Sequence, residues 1–289
     1  MNIYQEKSKR RINLKITPGQ YYSVLYHDVF DYPLRLSELI LWQVAESKAP
    51  EGFSTGLEAK DGYLFVAGRA KNIIKRQIRE RIAEKKLLQA EKAAEILALV
   101  PTITFVGVTG SLAMRNAGDE ADIDLLIIAK RGTLWTSRLV GFVLLKLAGL
   151  PVRKPLDQNE KDKLCLNIWL DEANLNWKDQ NLYTAHEIAQ IAPIFDRGGY
   201  LRLIKKNAWV RKFWPKATKN QNAKSKKKND NAKFNNVAIR LFRLLEPVAY
   251  KVQRWYMQKK VTIEEVEKGR AIFHPVKLSD IVLQKTGEG

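Results

Sequence analysis

Cysteine and histidine are scarce in this sequence, which has one cysteine, Cys165, and three histidines in 289 residues. A single cysteine excludes an intrachain disulfide framework, and so few, widely scattered thiol and imidazole ligands argue against a zinc site. Because Cys165 stands between Leu164 and Leu166, we interpret it as a small packed hydrophobic residue and not as a nucleophile.

Long hydrophobic runs are also missing. The longest, residues 139–150, contains Lys146 and two glycines and is too short to span a bilayer. The first fifteen residues are polar and basic, without the apolar segment of a signal peptide. We therefore expect a cytoplasmic protein that does not enter a membrane.

Acidic residues are outnumbered: 31 Asp and Glu stand against 50 Lys and Arg, a formal charge of +19. Such an excess predicts polyanionic partners and says nothing about the fold. Nucleic acid is the expected partner, well ahead of an anionic membrane surface. The alternative is a lysine-rich surface that is only solvated.

The most informative motif lies between two apolar segments. The segment 102–108 predicts a strand that enters a Gly110-Ser111 turn, and Asp122-Ile123-Asp124 leads into a second strand. Carboxylates at alternate positions of a strand point to one face, where they repel each other unless a cation lies between them. Paired oxygen ligands suit Mg²⁺ or Mn²⁺, and a glycine turn allows close approach of a phosphate.

This pattern resembles the signature of the nucleotidyltransferase superfamily that includes DNA polymerase beta, and it covers about the middle third of the chain. The resemblance implies a nucleoside triphosphate substrate and a small mixed β-sheet. It also implies that Asp122 and Asp124 hold the metal and that Gly110 and Ser111 hold the phosphates. Arg115, just beyond the turn, is a further candidate for the triphosphate because guanidinium groups bind phosphate in a bidentate manner.

Members of this superfamily commonly add a third carboxylate from a later strand. In this sequence the corresponding strand, residues 164–170, has Asn167 at its centre, and an amide cannot act as a general base. We consider Asn167 as a structural or metal-shell residue and Asp171, at the end of the strand, as a possible third acid. His186 and Trp135 could touch a base, although ordinary packing is the favoured interpretation of both.

The predicted fold class is α+β, with the nucleotidyltransferase core at residues 91–195. A winged-helix-like domain at residues 1–90 precedes it, as indicated only by the order of two short helices, a strand and a basic helix. A helical region, residues 196–289, follows it and includes a lysine-rich segment at 216–236 that we expect to be a disordered linker. In that region Val237 to Lys260 predicts a long helix, and Thr262 with Glu265 predicts the start of another.

Two functions follow from these observations. The preferred one is metal-dependent transfer of a nucleotide to an acceptor hydroxyl, with nucleic acid contacted by the basic helix at 69–86 and by the linker. The alternative is a nucleic-acid-binding regulator whose core binds nucleotide without turnover, which Asn167 favours and the intact aspartate pair opposes. The oligomeric state, the base and the acceptor are not predicted.

Overall fold

The computed structural model describes residues 16–45, 56–154, 157, 159–217, 232–258 and 265–272, and it shows a mixed α+β protein. The described part contains two sheets and eight α-helices. Every helix in it is too short or too polar to cross a bilayer.

A six-stranded sheet forms the centre of the molecule, with the strand order β7-β4-β5-β6-β9-β8. Only β5 and β6 pair in parallel, and all other neighbours are antiparallel. The strands are β4 (Ile103–Val108), β5 (Ile123–Ala129), β6 (Leu164–Asp171), β7 (Ala192–Asp196), β8 (Glu265–Glu267) and β9 (Arg270–Ile272).

Continuous apolar segments explain why β4, β5 and β6 occupy the middle of this sheet. Nearly every residue of the three strands is buried, as expected for strands that are covered on both faces. Between them run α4 (Gly110–Ala113) and α5 (Leu134–Leu147), and β6 is followed by α6 (Leu182–Gln190) and α7 (Gly199–Lys206). The strands β4, β5 and β6 agree with the sequence-based expectation, whereas β7 is not expected from the sequence.

The N-terminal region contains α1 (Pro18–Asp28), α2 (Leu36–Leu41) and α3 (Lys71–Leu97) around a small antiparallel sheet. Its strands are β1 (Leu34–Arg35), β2 (Leu57–Lys60) and β3 (Tyr63–Val66), in the order β1-β3-β2. The predicted domain boundary after residue 90 falls inside α3. The N-cap of α2 is Arg35, and Ser37 lies within the first turn of the helix.

The C-terminal region departs most from the sequence analysis. Residues 218–231 of the expected linker lie outside the described residues, but its last part is helical, because α8 spans Ala232–Gln258. Pro247 lies inside this helix and does not end it. The prediction of a helix that starts near Thr262 is wrong. Thr262 itself lies outside the described residues, and Glu265 begins the β8–β9 hairpin, which extends the central sheet.

Two histidines lie in a buried aromatic cluster between the N-terminal region and α6. His27 and His186 approach each other at 3.3 Å between their Nε2 atoms, and Trp42 lies 4.5 Å from the His186 ring. Burial lowers the pKa of His27 to about 4, and burial together with His27 lowers the pKa of His186 well below its usual value. Both imidazoles are therefore neutral in the folded protein.

Acidification is expected to destabilise the fold through this pair. Because the unfolded chain takes up protons near pH 6.5 and the folded one does not, stability is lost as the pH falls from about 6.5 to about 4. For His27 alone the loss is about 3 kcal/mol. Urea unfolding across this range should show a steeper pH dependence for the wild type than for His186→Phe. Equal slopes would contradict the buried, neutral pair.

Candidate metal centre

Asp122 and Asp124 meet at the beginning of β5, as the alternation along a strand predicts. Asp122 immediately precedes the strand, and Asp124 pairs in register with Cys165 of β6. One ligand atom from each of the three side chains lies within 4.8 Å of the others. The site combines two carboxylates that come from one strand with a thiol from the neighbouring strand.

The Gly110-Ser111 turn lies directly against this acid pair. Gly110 has a φ of +60°, and a Cβ built on it would stand 2.5 Å from Asp124 Oδ2. The Thr109 amide donates to the Asp124 carbonyl at 3.0 Å, which fixes the turn to β5, and Ser111 is exposed. The amides of Gly110 and Ser111 belong to the first turn of α4 and have no acceptor within the helix. The sequence-based expectation that the turn and the aspartates are adjacent is confirmed.

Gly110→Ala is expected to disrupt the site because the new methyl group collides with the Asp124 carboxylate and the backbone has a positive φ. We expect the affinity for Mn²⁺ to fall by about tenfold or more, with a stability loss of about 1–2 kcal/mol. Gly118→Ala is the matched control, because a Cβ there would meet nothing within 4 Å. Equal Mn²⁺ affinity in the two variants would argue against the packing of Gly110 on a metal ligand.

Asn167 occupies the third position of the site. Its Nδ2 donates to Asp124 Oδ1 at 2.8 Å, whereas its Oδ1 is buried and has no hydrogen-bond partner within the described residues. A buried amide oxygen without a partner costs free energy. The two carboxylates fit a hard cation such as Mg²⁺ or Mn²⁺, and in this arrangement Asn167 contacts Asp124 through its amide nitrogen.

The electrostatics of the site are those of two close acids with one cation beside them. Burial raises the pKa of Asp124 to about 7, and the charge of Asp122 adds to this effect, while a hydrogen bond from Cys165 opposes it. Arg153 partly neutralises the pair through a 2.8 Å contact from its Nη1 to Asp122 Oδ2. Burial and the two acids raise the pKa of the Cys165 thiol, so it stays protonated.

Asp171 does not belong to this site, contrary to the sequence-based suggestion of a third acid. It pairs with Ala129 at the far end of β5 and β6, six residues beyond Cys165 and thus about 20 Å away along the strand. Its carboxylate accepts hydrogen bonds from the amides of Gly132 and Ala173 instead. Arg115 is exposed in the loop after α4, with a φ of +55°.

The sequence analysis does not assign Glu187 and Tyr183 of α6 to the site. The Asp124 charge raises the pKa of both side chains, although burial is the larger cause. Glu187, with a pKa of about 8, accepts a hydrogen bond from Gln190 at 2.6 Å. No local signal identifies them, since α6 follows Asp124 by some sixty residues and its position depends on tertiary packing.

Several weaker sequence-based candidates are ordinary core residues. His186 lies in the aromatic cluster described above, and Trp135 is fully buried with its Nε1 donating to the Lys268 carbonyl. Packing is thus the correct interpretation of both. Cys165 is not only a packed residue, because it lies beside the two aspartates.

Most cationic side chains of the basic helix that is expected to contact phosphates make contacts within the protein. Arg76 and Lys86 are buried, and Arg69 and Lys75 pair with Asp31. Arg79 donates to the Phe30 carbonyl and to Asn116 Oδ1. The cations of this set that remain exposed without a described ion pair are Lys71, Arg81 and Lys85. A continuous phosphate-binding face on α3 is therefore not observed.

Comparisons with protein-family models, with curated proteins and with solved structures give no match for this chain.

Proposed function

We propose that this protein is a magnesium-dependent nucleotidyltransferase. The observation that supports the proposal best is the convergence of Asp122 and Asp124, with Cys165 and the Asn167 amide beside them, next to a turn at Gly110 that has no room for a Cβ. These groups provide oxygen ligands for a divalent cation and space for a phosphate in one place. The β4–turn–β5 arrangement is the part of the fold that supports the resemblance to the polymerase beta superfamily.

Each residue of the site would have a separate role in binding the cation or the triphosphate. Asp122 and Asp124, with Asn167 beside them, hold the cation, which when bound neutralises the phosphate charge and the leaving pyrophosphate. Gly110 and Ser111 contact the β- and γ-phosphates through their amides and the Ser111 hydroxyl, and exposed Arg115 lies on the same loop.

In the transfer itself, the oxygen of an acceptor hydroxyl forms a bond to the α-phosphorus, the bond to the bridging oxygen breaks, and pyrophosphate leaves. The hydroxyl proton needs an acceptor, and Asn167 cannot take it. We propose Glu187 for this role, because its carboxyl is the acid of α6 that interacts with the Asp124 charge. Glu187→Gln should lower the transfer rate while Mn²⁺ binding is retained.

Incubation of the protein with labelled ATP, CTP, GTP or UTP, Mg²⁺ and cellular RNA or protein tests the proposal. Transfer of the α-phosphate label that is lost in Asp122→Ala supports it. Nucleotide binding without label transfer to any acceptor would favour the alternative function.

That alternative, a regulator that binds nucleotide without turnover, is favoured by two observations. Asn167 stands where members of the superfamily that this chain resembles commonly have an acid, and Arg153 already pairs with Asp122. Salt-sensitive binding to duplex DNA, together with the absence of transfer, would support it.

A further inference from the structure

The long C-terminal helix α8 has two apolar faces on opposite sides. One face packs on α5 and the core through Phe242, Ala249, Gln253 and Met257. The other presents residues at a spacing of three or four, which places them on one side of a helix. The exposed members of this outer face are Val237 (69 %), Leu241 (53 %), Leu244 (76 %), Val248 (62 %) and Trp255 (70 %).

A surface helix normally has a polar face opposite its buried one. An apolar stripe of this length in water is costly, and such patches mark interaction sites. The helix α5, which packs on the inner face of α8, also exposes apolar residues, namely Leu139, Val143 and Leu147. The outer face of α8 is therefore a candidate interaction site for a partner that can cover it with apolar groups.

The charges along α8 have one sign. Arg240, Arg243, Lys251 and Arg254 lie along one flank between the two apolar faces. Glu246 is the only acid of the helix, and its carboxylate accepts from the amides of Trp135 and Thr136 at the start of α5. The solvent side of the helix is thus apolar and cationic.

A cavity of about 860 Å³ opens beside this flank, at the end of the sheet opposite the aspartate pair. Its cationic lining consists of Arg131, Lys251, Arg254 and Lys268, with Trp255 in its wall. Two acids also line it, Asp171 and Glu246, and their carboxylates accept hydrogen bonds from backbone amides. The cavity therefore offers cationic groups next to an exposed apolar stripe.

We infer that α8 binds the surface of an anionic lipid membrane, with the outer apolar stripe among the acyl chains and an anionic headgroup in the cationic cavity. A basic amphipathic helix with exposed Leu, Val and Trp is typical of helices that lie in the plane of a membrane interface. Seven lysines between residues 216 and 233 of the sequence precede the stripe, and polybasic segments strengthen attraction to anionic lipid. This inference is independent of the nucleotidyltransferase proposal.

The other occupants fit less well. Nucleic acid would pair with the cations through its phosphates and stack on Trp255 through its bases. It has no apolar surface to cover the exposed valines and leucines. A second copy would cover the stripe, but it would bring another cationic flank and cavity to the interface without any acid on the outer side of α8. Of these classes, anionic lipid alone matches both the stripe and the charges, whereas the sequence-based expectation ranks nucleic acid well ahead of a membrane surface for the chain as a whole.

Vesicle flotation tests the inference with the full chain. We expect the protein to float with vesicles of phosphatidylcholine and phosphatidylserine, and not with phosphatidylcholine alone. Leu244→Gln/Val248→Gln and Lys251→Glu/Arg254→Glu should each weaken binding by about tenfold or more. Because all four side chains are exposed, the circular dichroism spectrum and melting temperature should be unchanged.

Two matched variants serve as controls. Ile74→Gln/Ile78→Gln removes exposed apolar residues from α3, and Lys205→Glu/Lys206→Glu reverses exposed charges on α7. Neither should alter vesicle binding. Fluorescence of Trp255, compared with Trp255→Phe, should be quenched by brominated acyl chains.

Four results would overturn the inference. One is the absence of binding to anionic vesicles. Another is salt-sensitive binding to vesicles or RNA that the Leu244→Gln/Val248→Gln variant retains. The third is a dimer in solution that this variant dissociates, which would assign the stripe to a second copy. Deletion of residues 273–289 should leave binding intact, whereas binding that appears only after this deletion would assign the stripe to the chain's own C-terminus.

Discussion

Asp124→Asn is expected to abolish nucleotidyl transfer and, at the same time, to stabilise the metal-free protein. Loss of one of two charged metal ligands should lower the transfer rate by at least about 10³-fold. The gain in stability arises because the folded protein holds the pKa of Asp124 at about 7, above its usual value of 3.8. A carboxyl with a raised pKa in the folded state destabilises the fold progressively as the pH rises through this interval.

At pH 8 the free energy of unfolding of the asparagine variant should therefore exceed that of the wild type by about 1–3 kcal/mol. Near pH 4 this difference should vanish. The amide oxygen can still accept the hydrogen bond from Asn167, so the local geometry is retained. Urea unfolding without metal measures the effect, and Asp179→Asn, at an exposed position, is the control. A wild type that is as stable as the variant at pH 8, or an active variant, would contradict the assignment.

Arg76→Met is expected to cause the largest loss of stability among single substitutions in the N-terminal region. The Arg76 side chain is 1 % exposed, and its guanidinium contacts both Glu38 oxygens at 2.6 and 2.7 Å and Glu80 at 3.0 Å. It also lies 3.9 Å over the Tyr32 ring. Removal of one partner of a buried ion pair leaves uncompensated charge, which costs about 3–5 kcal/mol.

Arg81→Met is the matched control, because Arg81 lies on the same helix but is exposed and makes no described ion pair. Its effect should stay within about 0.5 kcal/mol. Chemical denaturation followed by circular dichroism gives both values. If both variants unfold at the same denaturant concentration, Arg76 is not the anchor between α2 and α3 that its contacts indicate.

The candidate site could be predicted from the sequence where it depends on local pattern. Gly110 follows one apolar strand, and Asp122 and Asp124 stand at the start of the next, so the period of two and the turn suffice to bring them together. Asn167 is found for a similar reason, as the central polar residue of the next apolar strand.

The position of Asp171 relative to the aspartate pair could not be predicted from local sequence. Its distance from Asp124 depends on the register between β5 and β6, and the sequence of either strand does not determine that register. Glu187 is missed for a related reason, because only the packing of α6 against the sheet brings it near Asp124.

The basic residues of α3 show a second limit. Sequence reasoning treats a lysine or arginine on an amphipathic helix as solvated, yet Arg76 and Lys86 are buried because Glu38, Glu80 and the carbonyls of Asp119 and Ala121 surround them. These partners come from distant parts of the chain. The β8–β9 hairpin escapes prediction because strands of three residues carry too little periodicity.

Binding of Mn²⁺, followed by electron paramagnetic resonance with and without a nucleoside triphosphate, tests the central claim most directly. The Asp122, Asp124 and Asn167 arrangement predicts Mn²⁺ binding that the triphosphate strengthens and that Asp122→Asn removes. Mn²⁺ binding that is absent in the wild type, or that persists unchanged in Asp122→Asn, would contradict it.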